Sequence, residues 1–169
     1  MESMTKIEAV LFDLDGTLLD SFPDFLASLK NININSSSKK IDESIVRANV
    51  SDGSSKLLKL VFDIDADDEG FDEHKRNFLN EYEKNILMYG NLFHGVSDLL
   101  NFLLDKKIPY GIVTNKPRKY TEIILKKSSL LRQSKVVICC DAGFKSKPNP
   151  EGINHACNIL GVPNSKCIY

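Results

Sequence analysis

The sequence predicts an α/β protein built on an open parallel sheet, with a helical segment inserted after the first strand. Three observations lead there. The apolar run over residues 7–12 ends directly in the turn-forming stretch D-L-D-G-T, as a strand covered on both faces of a parallel sheet would. Residues 18–90 carry helical periodicity throughout. Beyond Gly90 and Gly95, helical and extended segments alternate, which is the rhythm of βαβ units.

Each element follows from its own pattern. After the first strand, Gly16 and Thr17 supply a turn, and Phe22, Phe25, Leu26 and Leu29 repeat at helical spacing. The polar tract N-I-N-I-N-S-S-S-K-K, residues 31–40, reads as a loop. Leu57, Leu58, Leu60 and Val61 mark another helical segment, and Phe71, Phe78, Tyr82 and Ile86 a longer one. Val96, Leu99, Leu100 and Leu103 begin the alternating half as a helix. I-P-Y-G-I-V-T-N then reads as strand, K-P-R-K-Y-T-E-I-I-L-K-K as helix, and K-V-V-I-C-C as strand. N-P-E-G-I-N-H-A-C-N-I-L is helical, with Asn149 as N-cap and Pro150 at the first position, and K-C-I-Y opens a further strand. No internal repeat is present. The expected division is a Rossmann-like core from residues 1–17 and 91–169 with a helical cap from 18–90. Gly16, Gly90 and Gly95 stand at the crossings, so the cap is expected to move as a lid.

Composition narrows the function. The 169 residues are 42% hydrophobic and 27% charged with a formal charge of −1, which suits a globular domain and gives no electrostatic reason to bind nucleic acid or an anionic membrane. The expected partner is a small molecule; no oligomeric state is implied. The amino-terminal apolar run is six residues long and interrupted by Glu8, too short for a signal peptide core, so a cytoplasmic location is expected. The four cysteines, Cys139, Cys140, Cys157 and Cys167, lack C-x-x-C spacing and read as small buried hydrophobes. The sequons at Asn35 and Asn49 read as chance. His74, His94 and His155 have no ligand spacing. The acidic run Asp63 to Gly70 has Asp68 and His74 where a calcium loop needs Gly and Glu, and reads as a solvated loop.

The chemistry gathers at the carboxyl ends of the strands, where open α/β sheets bind ligands. Asp13 and Asp15 share a face, being two residues apart on an extended chain. Thr114 and Asn115 close the next core strand, and Lys147 precedes the last helix. Taken singly, each has a plainer reading: an Asp-Gly turn, a helix cap, a surface lysine. Their conjunction suits phosphoryl transfer. Clustered carboxylates need a cation, and hard oxygen ligands beside phosphate favour Mg²⁺. One aspartate would form an aspartyl-phosphate and the other would shuttle protons, while a hydroxyl and an ammonium hold the phosphoryl oxygens. Arg47 and Lys116 are the candidates for reading a substrate carboxylate or sugar oxygen.

These motifs carry a family resemblance over almost the whole chain. D-L-D-G-T, the threonine ending the next strand and K-P-N-P resemble the first three motifs of the haloacid-dehalogenase-like phosphatases. F-D-L-D-G-T-L-L-D-S, V-T-N-K-P, K-P-N-P and V-S-D-G at residues 50–53 resemble the phosphoglycolate phosphatase subgroup, which is also similar to bacterial N-acetylmuramate 6-phosphate phosphatases. The resemblance implies Asp13 as nucleophile, Asp15 as general acid/base, and Thr114 and Lys147 as phosphate holders; Asn115, beside Thr114 at the strand end, is a further phosphate-binding candidate. It also implies Mg²⁺ on the Asp13 carboxylate and the Asp15 backbone carbonyl. The family's acidic fourth motif would follow the strand begun at Cys167, whereas the sequence stops at Tyr169. The core is therefore expected to be C-terminally incomplete and the chain alone a weak or inactive phosphatase. A phosphosugar mutase of the same superfamily and a noncatalytic phospho-ligand-binding or partner-binding remnant are the alternatives.

Overall fold

The computed structural model describes residues 6–33 and 41–169. Two compact units emerge: Leu19–Asn91, and Leu92–Tyr169 together with the chain up to Leu18.

The second of these has the α/β architecture expected. Its four parallel strands are β1 (Ala9–Phe12), β4 (Tyr110–Val113), β5 (Val136–Ile138) and β6 (Cys167–Ile168), in the order β5-β4-β1-β6. Between them run α5 (Val96–Asp105), α6 (Arg118–Lys127) and α7 (Glu151–Leu160). From β1 the chain steps outward through β4 to β5, then returns to the other side of β1 as β6. Strand order thus reverses beside β1, the place where an open sheet leaves a crevice at its carboxyl edge. Every residue of β4 is buried, as a central parallel strand requires. Leu11, Val113, Val136 and Ile138 pack with Ala156 and Cys157 of α7 into one apolar cluster. Cys139 and Cys157 are buried as expected, while Cys140 and Cys167 are only half-buried.

Leu19–Asn91 is helical: α1 (Phe22–Asn33), α2 (Glu43–Asn49), α3 (Ser54–Phe62) and α4 (Phe71–Asn85). Phe25 stacks on Tyr82 at 4.2 Å between centroids and lies 5.8 Å from Phe78, which joins α1 to α4. The tract read as a loop is still helical at Asn31–Asn33; its remainder, with the Asn35 sequon, lies outside the described residues. Helix α2 went unassigned in the sequence because only Val46 of it is buried, which leaves no periodicity to read. Its signal was the cap: the Asp42 carboxylate accepts from Ser44 N at 2.9 Å and Ile45 N at 3.4 Å. Two-residue strands β2 (Leu19–Asp20) and β3 (Asn91–Leu92) pair where the chain passes between the units, and they are too short to show alternation.

Asp24 closes the helical unit on itself. Its carboxylate is fully buried and accepts from Leu87 N at 2.8 Å and from Tyr89 N and Gly90 N at 2.9 Å. This also redefines Gly90, which the sequence suggested as a pivot. A Cβ there would lie 2.6 Å from Asp24 Oδ2 and 2.8 Å from the Asp20 carbonyl, so glycine is required by close approach. Removing the carboxylate strands several buried N–H groups, each costing about 1–3 kcal/mol. Asp24→Ala is therefore expected to lower unfolding stability by about 3 kcal/mol or more, read as a fall in urea midpoint, and Asp24→Asn by less.

Candidate active site

Strand register brings the first two constellations together. Phe12 of β1 pairs with Ile112 of β4, so Asp13 and Thr114 emerge at neighbouring strand ends. Thr114 N donates to Ile138 O of β5 at 2.9 Å, which fixes the strand end. The third constellation arrives from the loop before α7. That helix starts one residue later than its sequence signal, at Glu151 after Pro150, and the Asn149 side chain accepts from Glu151 N at 2.9 Å.

Asp13 and Lys147 are in direct contact: Lys147 Nζ lies 2.8 Å from Asp13 Oδ1. Leu14 N donates to the same oxygen at 2.7 Å. Both contacts fall on Oδ1, and Oδ2 takes part in neither. Lys147 Nζ also donates to the Tyr169 hydroxyl at 2.6 Å, and that hydroxyl donates to Val113 O at 3.4 Å. No sequence pattern marked Tyr169 as a neighbour of this site.

Thr114 is buried, and its Oγ1 accepts from Lys116 N at 3.1 Å. A hydroxyl that accepts there keeps its own hydrogen for donation. Asn115 acts on the backbone of Lys147: its Nδ2 donates to Lys147 O at 3.1 Å, and its Oδ1 accepts from Lys147 N at 2.9 Å. These two bonds hold the lysine-bearing loop to the end of β4. Thr114, Asn115, Ser146, Lys147 and Asn149 line one shallow depression.

Lys116 departs from its expected part as a reader of substrate. Its ammonium lies 3.0 Å and 2.8 Å from the two Asp15 oxygens, with the lysine side chain 4% and the aspartate side chain 14% exposed. An ammonium buried against a carboxylate of its own chain is not an open cation for a ligand. Arg47 belongs to the helical unit, where its guanidinium sits 4.0 Å from the Phe22 ring centroid and 3.5 Å from Asp20 Oδ2. It is exposed.

Cys139 and Cys140 also line the depression, but burial pushes both thiols above the ordinary range. Burial, and then the neighbouring Cys157, raise Cys167 to about 12. Protonated thiols are poor nucleophiles, so the carboxylate is the fitting one. Among the described residues no three His, Cys, Asp or Glu side chains gather as a metal cluster. A site here would rest on the Asp13 carboxylate and the Asp15 carbonyl. Mg²⁺ accepts such a sparse set, since it keeps several waters and takes one or two carboxylates together with substrate phosphate. No helix among the described residues is long and apolar enough to cross a membrane.

Known proteins are similar to this chain in sequence and in fold. The chain is 32% identical over 164 residues to the N-acetylmuramic acid 6-phosphate phosphatase of Pseudomonas putida, covering 97% of this chain and 74% of that protein. It is 35% identical over 161 residues to the phosphoglycolate phosphatase of Xanthomonas campestris pv. campestris, covering 95% and 72%. In structure it is similar to a predicted phosphoglycolate phosphatase from Haemophilus somnus, with a TM-score of 0.84 at 23% identity, covering 98% and 76%. It is also similar to a structure named for β-phosphoglucomutase from Thermotoga maritima, with a TM-score of 0.75 at 22% identity, covering 95% and 74%. Residues 10–169 match the model of the haloacid dehalogenase-like hydrolases, and with D-L-D-G-T closing β1 the chain belongs to that family.

Proposed function

We propose that the chain is a phosphomonoester hydrolase for a small phosphorylated metabolite, of the kind its relatives are named for: 2-phosphoglycolate or N-acetylmuramic acid 6-phosphate. The observation that supports this most is the 2.8 Å contact between Asp13 and Lys147 at the end of β1. It sets a nucleophile beside a cation able to hold the group it attacks.

In the first half-reaction Asp13 Oδ2 attacks phosphorus. The ester P–O bond breaks as the leaving oxygen takes a proton from the Asp15 carboxyl group, which releases the alcohol and leaves an aspartyl-phosphate. In the second, water passes a proton to the Asp15 carboxylate and attacks the same phosphorus. The bond to Asp13 breaks and inorganic phosphate leaves. Through both halves the Thr114 hydroxyl donates to one phosphoryl oxygen and the Lys147 ammonium holds another, where charge is stabilised in the transition state. Asn115 contributes by fixing the Lys147 backbone. Bound to Asp13 and the Asp15 carbonyl, Mg²⁺ would offset the phosphate charge that opposes an anionic nucleophile.

Asp13→Asn is expected to reduce Mg²⁺-dependent release of inorganic phosphate to background on 2-phosphoglycolate, N-acetylmuramic acid 6-phosphate and p-nitrophenyl phosphate alike. Retained turnover in that variant would overturn the assignment, and an isomerised sugar phosphate without free phosphate would mark a mutase. Asn115→Ala removes two hydrogen bonds worth roughly 0.5–1.5 kcal/mol each; it should weaken inhibition by inorganic phosphate about tenfold while leaving the thermal midpoint within a few degrees. Arg47 is proposed to read a carboxylate of the substrate. Arg47→Ala should then raise KM for a carboxylated phosphate ester while sparing p-nitrophenyl phosphate, and equal losses on both would count against it.

A further inference from the structure

We propose that Lys116 is a positioning residue for Asp15: it fixes the direction in which that carboxylate presents its proton-transfer oxygen. This rests on the reading of Asp15 as the general acid/base.

The geometry is specific. One Nζ meets both carboxylate oxygens, at 3.0 Å and 2.8 Å, across a sequence separation of 101 residues. The lysine is itself anchored, because its backbone N–H is bound to Thr114 Oγ1 at 3.1 Å. The threonine that holds phosphate and the lysine that holds the acid/base are thus tied within one turn at the end of β4. A packing role alone would not call for an ammonium here. Desolvating two charges costs several kcal/mol per ion, and apolar residues of similar volume commonly stabilise a protein as well or better. What the pair supplies is direction. Proton transfer needs the oxygen within about 2.6–3.2 Å of its target, and an ammonium gripping both carboxylate oxygens sets where they lie. A misplacement of about 1 Å can cost on the order of 100-fold in rate.

Leaving groups of different basicity separate positioning from mere structural support. An alkoxide departs only with a proton from the acid, whereas p-nitrophenolate departs far more readily without one. The value of kcat/KM reports the steps through departure of the leaving group, before water enters. In Lys116→Met, kcat/KM for 2-phosphoglycolate is expected to fall about 100-fold further than kcat/KM for p-nitrophenyl phosphate. Lys116→Gln should show the same split if the methionine variant folds poorly. Equal losses on the two esters, or no loss on either, would overturn the proposal.

A second readout needs no turnover. In ¹⁵N,¹³C-labelled chain the buried Lys116 ammonium should give a slowly exchanging NMR signal with a through-hydrogen-bond correlation to Asp15 Cγ, lost in Asp15→Asn. Its absence from the wild-type spectrum would also overturn the proposal. Failure of the underlying phosphatase reading would show differently, as turnover of both esters retained in Asp13→Asn, and would remove the basis for Lys116 with it.

Discussion

Two carboxylates leave one strand end two residues apart, and each is met by an ammonium from a distant part of the chain. Asp13 faces Lys147 and Asp15 faces Lys116. Like charges on neighbouring residues disfavour one another, and the penalty grows where water is scarce. The parallel sheet resolves the conflict by delivery. Strand β4 runs beside β1 and brings Lys116 to its end, while the βαβ return toward β6 carries Lys147 past the same edge. Each pair depends on the other elements being in place, so the charge arrangement and the topology are one constraint.

The helical unit obeys a comparable logic with a different partner. A segment of more than seventy residues that leaves and rejoins the fold must bring its own ends together. Here a carboxylate does so by binding backbone amides, with Asp24 of α1 gripping the chain just after α4. Ser28 extends the join by donating to Asp24 O at 2.7 Å and accepting from Asn85 Nδ2 at 3.1 Å. The aromatic stack of Phe25, Phe78 and Tyr82 supplies apolar burial between the same two helices. Polar closure and apolar packing coincide, which fixes register as well as association.

How much of this the sequence discloses depends on the range of the interaction. The parallel core was legible because a buried strand writes its apolar run locally, as in residues 9–12 and 110–113. The strand-end aspartates, Thr114 and Lys147 were legible because their motifs are short and contiguous. The work of Asn115 and Lys116 was not. Both stood out as candidates for holding a ligand, but the contacts they make are to partners 32 and 101 residues away, which no local pattern reports. Gly90 resembled a hinge for the same reason, since nothing local reports that Asp24 lies against it. Helix α2 was hidden by its single buried side chain, and β2 and β3 by lengths below any repeat.

The Asn115 clamp has a consequence for how this surface can vary. The amide recognises the peptide N–H and C=O of position 147 and is indifferent to the side chain they carry. Placement of the loop and identity of the cation are therefore specified by separate groups. A library that diversified residue 147 with Asn115 retained would sample reach and charge at a nearly constant anchoring point, whereas altering Asn115 would shift the whole loop whatever residue it bore.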